Sequence, residues 1–273
     1  MLGHAADGKY HRRSKMKKWI LAAAMVSALG ATSLQAKEYK EVRFGIEGAY
    51  PPFSWTEPSG ELKGFDVDMA NALCKELQTK CKIVAQDWDG IIPSLLARKY
   101  DAIIAAMSIT EERKKKIDFT GKYALIPNKF VAKKGTEIDF TKEGLKGVKI
   151  GVQRATTHDK YLTDNYGDSV TIVRYGSFDD AYLDLKAGRI ASVLGDASAL
   201  EEGLINKEGG EGYEFIGPSL TDPKWFGEGF GIALRKQDKE LTKKLDAAII
   251  SLREKGIYQE IAAKYFAYDV YGQ

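Results

Sequence analysis

Short extended runs alternate with amphipathic helical runs along most of this chain, and few folds accept that rhythm. Residues 42–46 (VRFGI) read as a strand. Residues 66–77 read as a helix, with Val67, Ala70, Leu73 and Leu77 at helical spacing. Residues 82–85 form a predicted strand, and residues 89–97 a helix carrying Ile91, Ile92, Leu95 and Leu96. Residues 102–106 read as a buried strand. Residues 110–115 form a short helix that Thr110 can N-cap. The second half repeats the pattern: strand 148–152, helix 156–165, strand 171–175, helix 179–187, strand 192–194 and a helical stretch 199–205. An extended segment at 227–234 precedes two amphipathic helices, 241–252 and 258–266. Alternation of this kind implies α/β lobes with mostly parallel sheets.

The N-terminus has the composition of an export signal. Met16-Lys17-Lys18 opens a basic region, and residues 19–29 are apolar but too short to span a bilayer comfortably. Leu34-Gln35-Ala36 is a cleavage site ending in a small residue. Residues 1–15 form an upstream extension, so residues 1–36 are set aside from fold reasoning. An uncleaved anchor is the alternative; a lipoprotein is not expected, because no Cys lies near the site. The leader holds six of the 41 Lys/Arg and one of the 38 Asp/Glu. The remaining 237 residues thus carry 35 basic and 37 acidic side chains, a net of −2. Such a balance gives no basis for nucleic-acid binding. A mature chain of this length suits two small lobes better than one core. Its two cysteines, Cys74 and Cys81, end a helix and begin a strand. In an exported protein this proximity favours a disulfide. A metal pair is the alternative, but His158 is the only mature histidine and two thiolates do not complete a zinc site.

Three fragments carry a resemblance: GIEGAYPPFSW (45–55), GFDVDMANALC (64–74) and DWDGIIPSLLARKYDAIIAAMSITEER (87–113). In this order and spacing the chain resembles the periplasmic amino-acid-binding proteins of ABC transporters, in particular the lysine/arginine/ornithine and arginine branch, over residues 40–273. The resemblance implies a two-lobed periplasmic-binding-protein fold (type II). Lobe I would comprise residues 37–124 and 228–273, and lobe II residues 130–222. Segments 121–131 and 221–231 would cross between lobes as a two-part hinge. A periplasmic monomer is expected. It would close on a small-molecule amino acid, serve a membrane permease, and need no cofactor, metal or catalytic residue.

A free amino acid offers a carboxylate, an ammonium and a side chain, and each charge needs a partner in a closed cleft. Arg113, in the first turn of a helix, can grip a carboxylate with two parallel hydrogen bonds. Its alternative is a surface ion pair with Glu111 or Glu112. Thr156 and Thr157 open a helix after a strand, where backbone N–H groups face anions, and Gln153 precedes them. The resemblance puts Thr157 on the carboxylate. Asp196 ends a buried strand and, by resemblance, pairs with the ammonium, with Ser108 and the Ala106 carbonyl as further acceptors. A helix N-cap is its alternative. Glu47 matches a position where an acid meets a cationic side chain, and Tyr50 and Trp88 positions whose rings sandwich the ligand stem. Pro51, Pro52 and Phe53 read as a rigid turn with a core aromatic.

Two positions depart from the pattern. Ala105-Ala106 stands where some relatives have a Ser pair. Arg154 stands where many have a small or amide residue, and it is expected at the rim. Facing inward it would repel a cation and favour an opine such as octopine or nopaline. The same fold would also accommodate a dehydratase of the cyclohexadienyl type or a ligand-sensing partner of a membrane receptor. Gly227-Glu228-Gly229-Phe230-Gly231 imitates a phosphate loop, but an extended run follows it instead of a helix. Close backbone approach near the hinge explains it better. Lys114-Lys115-Lys116 is a solvated helix face.

Overall fold

A computed structural model of the protein describes residues 39–272. The expected signal segment and cleavage site lie outside these residues. In chain order the first elements are β1 (Glu41–Ile46), β2 (Ala49–Tyr50), β3 (Ser54–Thr56), β4 (Leu62–Lys63), α1 (Phe65–Glu76), β5 (Lys80–Ala85), α2 (Trp88–Leu96), β6 (Ala102–Ile103), α3 (Glu111–Lys114) and β7 (Asp118–Ala124). Then come β8 (Asn128–Lys133), β9 (Lys149–Gln153), α4 (Thr157–Tyr166), β10 (Thr171–Tyr175), α5 (Phe178–Lys186), β11 (Ser192–Asp196) and α6 (Ala197–Leu200), which loosens into a π-helical turn at Glu201–Ile205. The chain closes with β12 (Tyr213–Leu220), α7 (Pro223–Phe226), β13 (Phe230–Leu234), α8 (Lys239–Glu254) and α9 (Ile257–Ala262).

Two five-stranded sheets result, in orders β5-β1-β6-β13-β7 and β10-β9-β11-β8-β12, plus a small sheet β2-β3-β4. In the first, β1 pairs in parallel with β5 and β6. In the second, β9 pairs in parallel with β10 and β11. These ladders come from the β-α-β units, whose helical connections return the chain to the same sheet, first on one side of the opening strand and then on the other. The antiparallel members are the strands at the crossings: β13 pairs with β6 and β7, and β8 with β11 and β12. The chain passes between the sheets twice, at residues 125–127 and 221–229. This is the two-lobed α/β architecture with a two-segment connection that the sequence implied.

Strand β1 shows why these segments bury. Val42, Phe44 and Ile46 are each 0% exposed, and burial of such a side chain is worth about 1.5–3 kcal/mol. They pack with Phe65 and Leu73 of α1 and Leu245 of α8. The Pro51-Pro52-Phe53 turn is structural, as expected. Phe53 is fully buried, with its ring 5.4 Å from Phe230 and 5.7 Å from Phe266. The carbonyls of Pro52 and Phe53 accept from the first two amides of α1, at 2.9 Å each, so the turn satisfies donors that a helix start leaves open.

Several elements differ from expectation. The strand predicted over 102–106 stops at Ile103, because Ala106 turns to φ 44°. The helix predicted over 258–266 ends at Ala262, and the chain beyond it turns back so that the Leu125 N–H donates to the Val270 carbonyl at 2.6 Å. Segments 118–124, 128–133 and 213–220 are strands. No local pattern announces them, because their partners are distant in sequence, and Gly217-Pro218 interrupts the last with a register shift between Ile216 and Leu220. The glycine-rich run is explained by close approach. At Gly227 (φ +77°) a Cβ would meet the Ile109 carbonyl at 2.3 Å, and at Gly229 (φ +113°) the Ala124 carbonyl at 2.7 Å.

Cys74 and Cys81 are disulfide-bonded across seven residues, tying the end of α1 to β5. The short loop limits the stabilisation to about 2.5 kcal/mol on a chain-entropy basis. The Cys74→Ser/Cys81→Ser variant should lose about that much in denaturant unfolding while remaining folded. An undiminished midpoint would show that the bridge does not stabilise the fold.

Candidate functional site

The carboxyl ends of β1, β6, β9 and β11 and the start of α4 converge on one cleft. Its lining is Glu47, Tyr50, Trp88, Ala105, Ala106, Ser108, Arg113, Gln153, Thr156, Thr157, His158 and Asp196. All ten residues singled out from sequence are therefore brought to one place. Ala105 and His158 are additional. In the sequence His158 figures only as a candidate metal ligand. Its position directly after Thr156-Thr157, in the first turn of α4, is the signal that places it here. A larger groove beside Lys114, Phe119 and Glu228 lies away from these strand ends and contains a Lys114–Glu228 ion pair of 3.7 Å.

Local structure fixes each group. Glu47 directly follows β1, and Asp196 is the last residue of β11. Asp196 precedes α6, but its side chain makes no capping hydrogen bond, which removes the capping alternative. Thr156 does cap α4: its hydroxyl accepts from the Asp159 N–H at 3.2 Å. Thr110 caps α3 by accepting from the Arg113 N–H at 3.3 Å. Arg113 then turns inward, away from Glu111 and Glu112. Its Nη1 donates to the Ser108 carbonyl at 3.0 Å, and its Cζ lies 5.3 Å from the Trp88 ring centre.

Four contacts cross between the two sheet systems here. The Tyr50 hydroxyl donates to Asp196 Oδ2 at 2.5 Å, and Gln153 Nε2 donates to Glu47 Oε1 at 2.5 Å. Trp88 Nε1 donates to the Ala155 carbonyl at 3.3 Å. Arg154 pairs with Asp89; both are substantially exposed, at 52% and 41%, and neither lines the cleft. Arg154 thus sits at the rim.

Burial sets the electrostatics. Desolvation pushes the Glu47 carboxyl up to about 7, with the Gln153 hydrogen bond opposing and Asp87, Asp179 and Asp89 adding to the rise. Desolvation likewise pushes Asp196 up to about 7 against the Tyr50 hydrogen bond and the Arg113 charge. Arg113 is lowered by desolvation to about 10 and remains a cation at neutral pH. Burial, and secondarily Arg113, lowers His158 to about 3, so its ring is neutral. The Asn128 amide identifies its tautomer. Asn128 Nδ2 donates to the Leu220 carbonyl at 3.1 Å, so Oδ1 faces His158 Nε2 at 2.6 Å and Nε2 carries the hydrogen.

Two α/β lobes closed over a polar, charge-bearing cleft define the class: a two-lobed periplasmic-binding-protein fold. The chain matches the bacterial extracellular solute-binding proteins, family 3, over residues 42–268 and belongs to that family. It is 49% identical over 259 residues to an L-arginine-binding protein of Pseudomonas aeruginosa, covering 94% of this chain and 99% of that one. It is 40% identical over 259 residues to the lysine/arginine/ornithine-binding periplasmic protein of Escherichia coli, covering 94% and 100%. A Salmonella typhimurium periplasmic binding protein, solved to explain its high arginine specificity, superposes with a TM-score of 0.77 at 34% identity, covering 84% of this chain and all of that one.

The raised carboxyls make a pH prediction. Unfolded Asp and Glu titrate near 4, whereas Glu47, Asp66 and Asp196 titrate at about 7 in this conformation. The folded protein then holds protons the unfolded chain has lost, so stability falls as pH rises through about 7. His158, lowered to about 3, acts oppositely, but only below its unfolded value near 6.5. From pH 6.5 to 8 the carboxyl effect is therefore unopposed by His158. The thermal midpoint of ligand-free protein should fall across this window, and Glu47→Gln should make the fall shallower. Equal slopes for both proteins would show that Glu47 is not titrating there.

Proposed function

We propose that this protein captures a basic L-amino acid, with arginine or ornithine first, and delivers it as a periplasmic monomer to an ABC-type permease. The observation that carries the reading is the charge of the cleft. Among the described residues lining it are two carboxylates, Glu47 and Asp196, and one cation, Arg113, with His158 neutral. With both acids ionised, the form that cationic ligand groups favour, the balance is −1, and an amino acid with a cationic side chain has a net charge of +1. Arg113 and the start of α4 at Thr156-Thr157 would take the carboxylate. Asp196, Ser108 and the Ala106 carbonyl would take the ammonium, Glu47 the distal cation, and Tyr50 and Trp88 the stem between.

Binding would exchange partners. The Tyr50 hydroxyl and the Gln153 amide occupy the two carboxylates, and the ligand's cationic groups would replace or supplement them. Movement at segments 125–127 and 221–229 would open and close the cleft. The names of the relatives agree with a basic or related amino acid. An opine would need a second cation for its additional carboxylate, and Arg154 lies at the rim with Asp89.

One observation favours a second reading. With its carboxyl at about 7, Glu47 is partly protonated at neutral pH and has the acidity a dehydratase would need. Ultraviolet assays with prephenate and arogenate decide this; flat traces with both remove it.

The main reading is tested on mature protein unfolded and refolded to strip any bound ligand. A thermal-shift panel should include arginine, ornithine, lysine, histidine, glutamine, glutamate, octopine and nopaline. A ligand at 1,000 times its dissociation constant stabilises by about 4.1 kcal/mol, so hits stand clear. Shifts confined to the basic amino acids are expected. Glu47→Gln should weaken arginine binding by about 10- to 150-fold, corresponding to about 1.5–3 kcal/mol for a charge-assisted hydrogen bond. Absence of any shift with all four basic amino acids would overturn the reading, and shifts with opines alone would overturn the ligand class.

A further inference from the structure

We propose that Asp66 and Tyr123 are positioning residues for the ligand's ammonium group, because together they hold the Ala106 backbone in the left-handed turn that forms part of the cleft wall. The proposal rests on the reading of the cleft as an amino-acid site. Neither residue lines the cleft.

Ala106 has φ 44°, a conformation that residues with a Cβ adopt seldom and at a cost. Something must hold it there. Its N–H is shared between Asp66 Oδ2 at 2.9 Å and the Tyr123 hydroxyl oxygen at 3.0 Å. The Tyr123 hydroxyl donates in turn to Asp66 Oδ1 at 2.9 Å. Both carboxylate oxygens are thus committed to a closed three-member network around one backbone amide. Its direction matters: with the N–H tied toward α1 and β7, the strand that ran straight through Ile103 is turned at the point where Ala105, Ala106 and Ser108 meet the cleft.

The network is itself held firmly. Asp66 and Tyr123 are both 0% exposed. Asp66 is the second residue of α1, fixed by the amide contacts of that helix start to Pro52 and Phe53, and the helix's N-terminal partial charge favours a carboxylate there. The carbonyl of Tyr123 accepts from the Tyr258 hydroxyl at 2.7 Å, and its ring stacks 6.1 Å from Phe65. Burial pushes the Asp66 carboxyl up to about 7, and the groups opposing that rise are Tyr123 and the Ala106 N–H rather than a cation. A buried acid with no counter-ion is a costly way to fill space. An apolar side chain would fill it with no such cost, so the acid marks a need for its two acceptor oxygens.

The test is a double-mutant cycle with a ligand-independent readout. Tyr123→Phe removes one acceptor for the amide and one donor to Asp66, and it conserves the ring. It should weaken arginine binding about tenfold by calorimetry, the scale of one buried hydrogen-bonding group. Glycine adopts the left-handed region freely. Ala106→Gly should therefore improve affinity in the Tyr123→Phe background by at least about threefold more than in the wild type. In ligand-free protein the Ala106 amide should be protected from hydrogen exchange, and Tyr123→Phe should speed its exchange while the amides of α1 keep their protection. Asp66→Asn should show the same pattern, and Tyr123→Phe carries the test if that variant does not fold. An equal effect of Ala106→Gly in both backgrounds, or unchanged exchange at Ala106, would overturn the proposal. Failure of wild-type protein to bind any basic amino acid would overturn the ammonium assignment together with the functional reading, and amide exchange would then decide the clamp alone.

Discussion

Two carboxylates shut between two sheets with a single guanidinium are the constraint on which the rest of this structure turns. Taking Glu47 and Asp196 out of water is unfavourable unless each finds a donor. In the closed arrangement the donors come from the opposite side: Tyr50 reaches Asp196, and Gln153 reaches Glu47. Each such bond contributes only about 0.5–1.5 kcal/mol net, up to about 3 where the acceptor is charged. Closure without ligand is therefore weakly held, while the cost of desolvating two acids persists. A ligand that brings two cationic groups and one carboxylate supplies partners for all three charges at once. On this reading closure and recognition are one event, and an amino acid lacking a distal cation would leave Glu47 on its amide partner.

Such a site demands that its groups stand on elements that do not yield. The strand ends that carry Glu47, Gln153 and Asp196 belong to ladders with fully buried residues on either side. The helix starts that present Arg113 and Thr157 are capped by Thr110 and Thr156. On the proposed reading, compliance is left to the crossings. There β7 and β13 pair in one sheet and β8 and β12 in the other, so the two connections leave and arrive side by side. Gly227 and Gly229 let the second connection pass close to the carbonyls of Ile109 and Ala124.

Most of the α/β rhythm was legible in the sequence because each β-α-β unit is local: a run such as VRFGI carries its apolar pattern in its own residues, whichever partners later bury it. What the sequence did not show was either non-local or too short to carry a pattern. The crossing strands exist through pairing with segments far along the chain, and the β2-β3-β4 sheet is made of two- and three-residue strands. The site was legible through charged and aromatic residues in a spacing that resembles a known family. His158 escaped because its spacing suits an ordinary helix start; its neutral form follows from burial, and its Nε2-protonated tautomer from Asn128, thirty residues away. The turn at Ala106, beyond the strand end at Ile103, escaped because nothing in DAIIAAMS announces a left-handed residue; the partners of its N–H, Asp66 and Tyr123, lie elsewhere in the chain.

Arg154 shows how composition at the rim serves the interior. As a lone cation it would repel a basic ligand, but Asp89 faces it. An exposed pair of this kind adds little stability, about 0–1 kcal/mol. Its consequence is electrostatic. Asp87, Asp89 and Asp179 all act on Glu47 and raise its pKa. Asp89 is offset by Arg154, so Asp87 and Asp179 are the acids that add negative charge around Glu47, and charge of that sign draws cations and disfavours anions. Placing a positive charge against Glu47 relieves that repulsion. The rim and the interior thus favour the same ligand charge, and the field at the entrance selects for what the buried carboxylate requires.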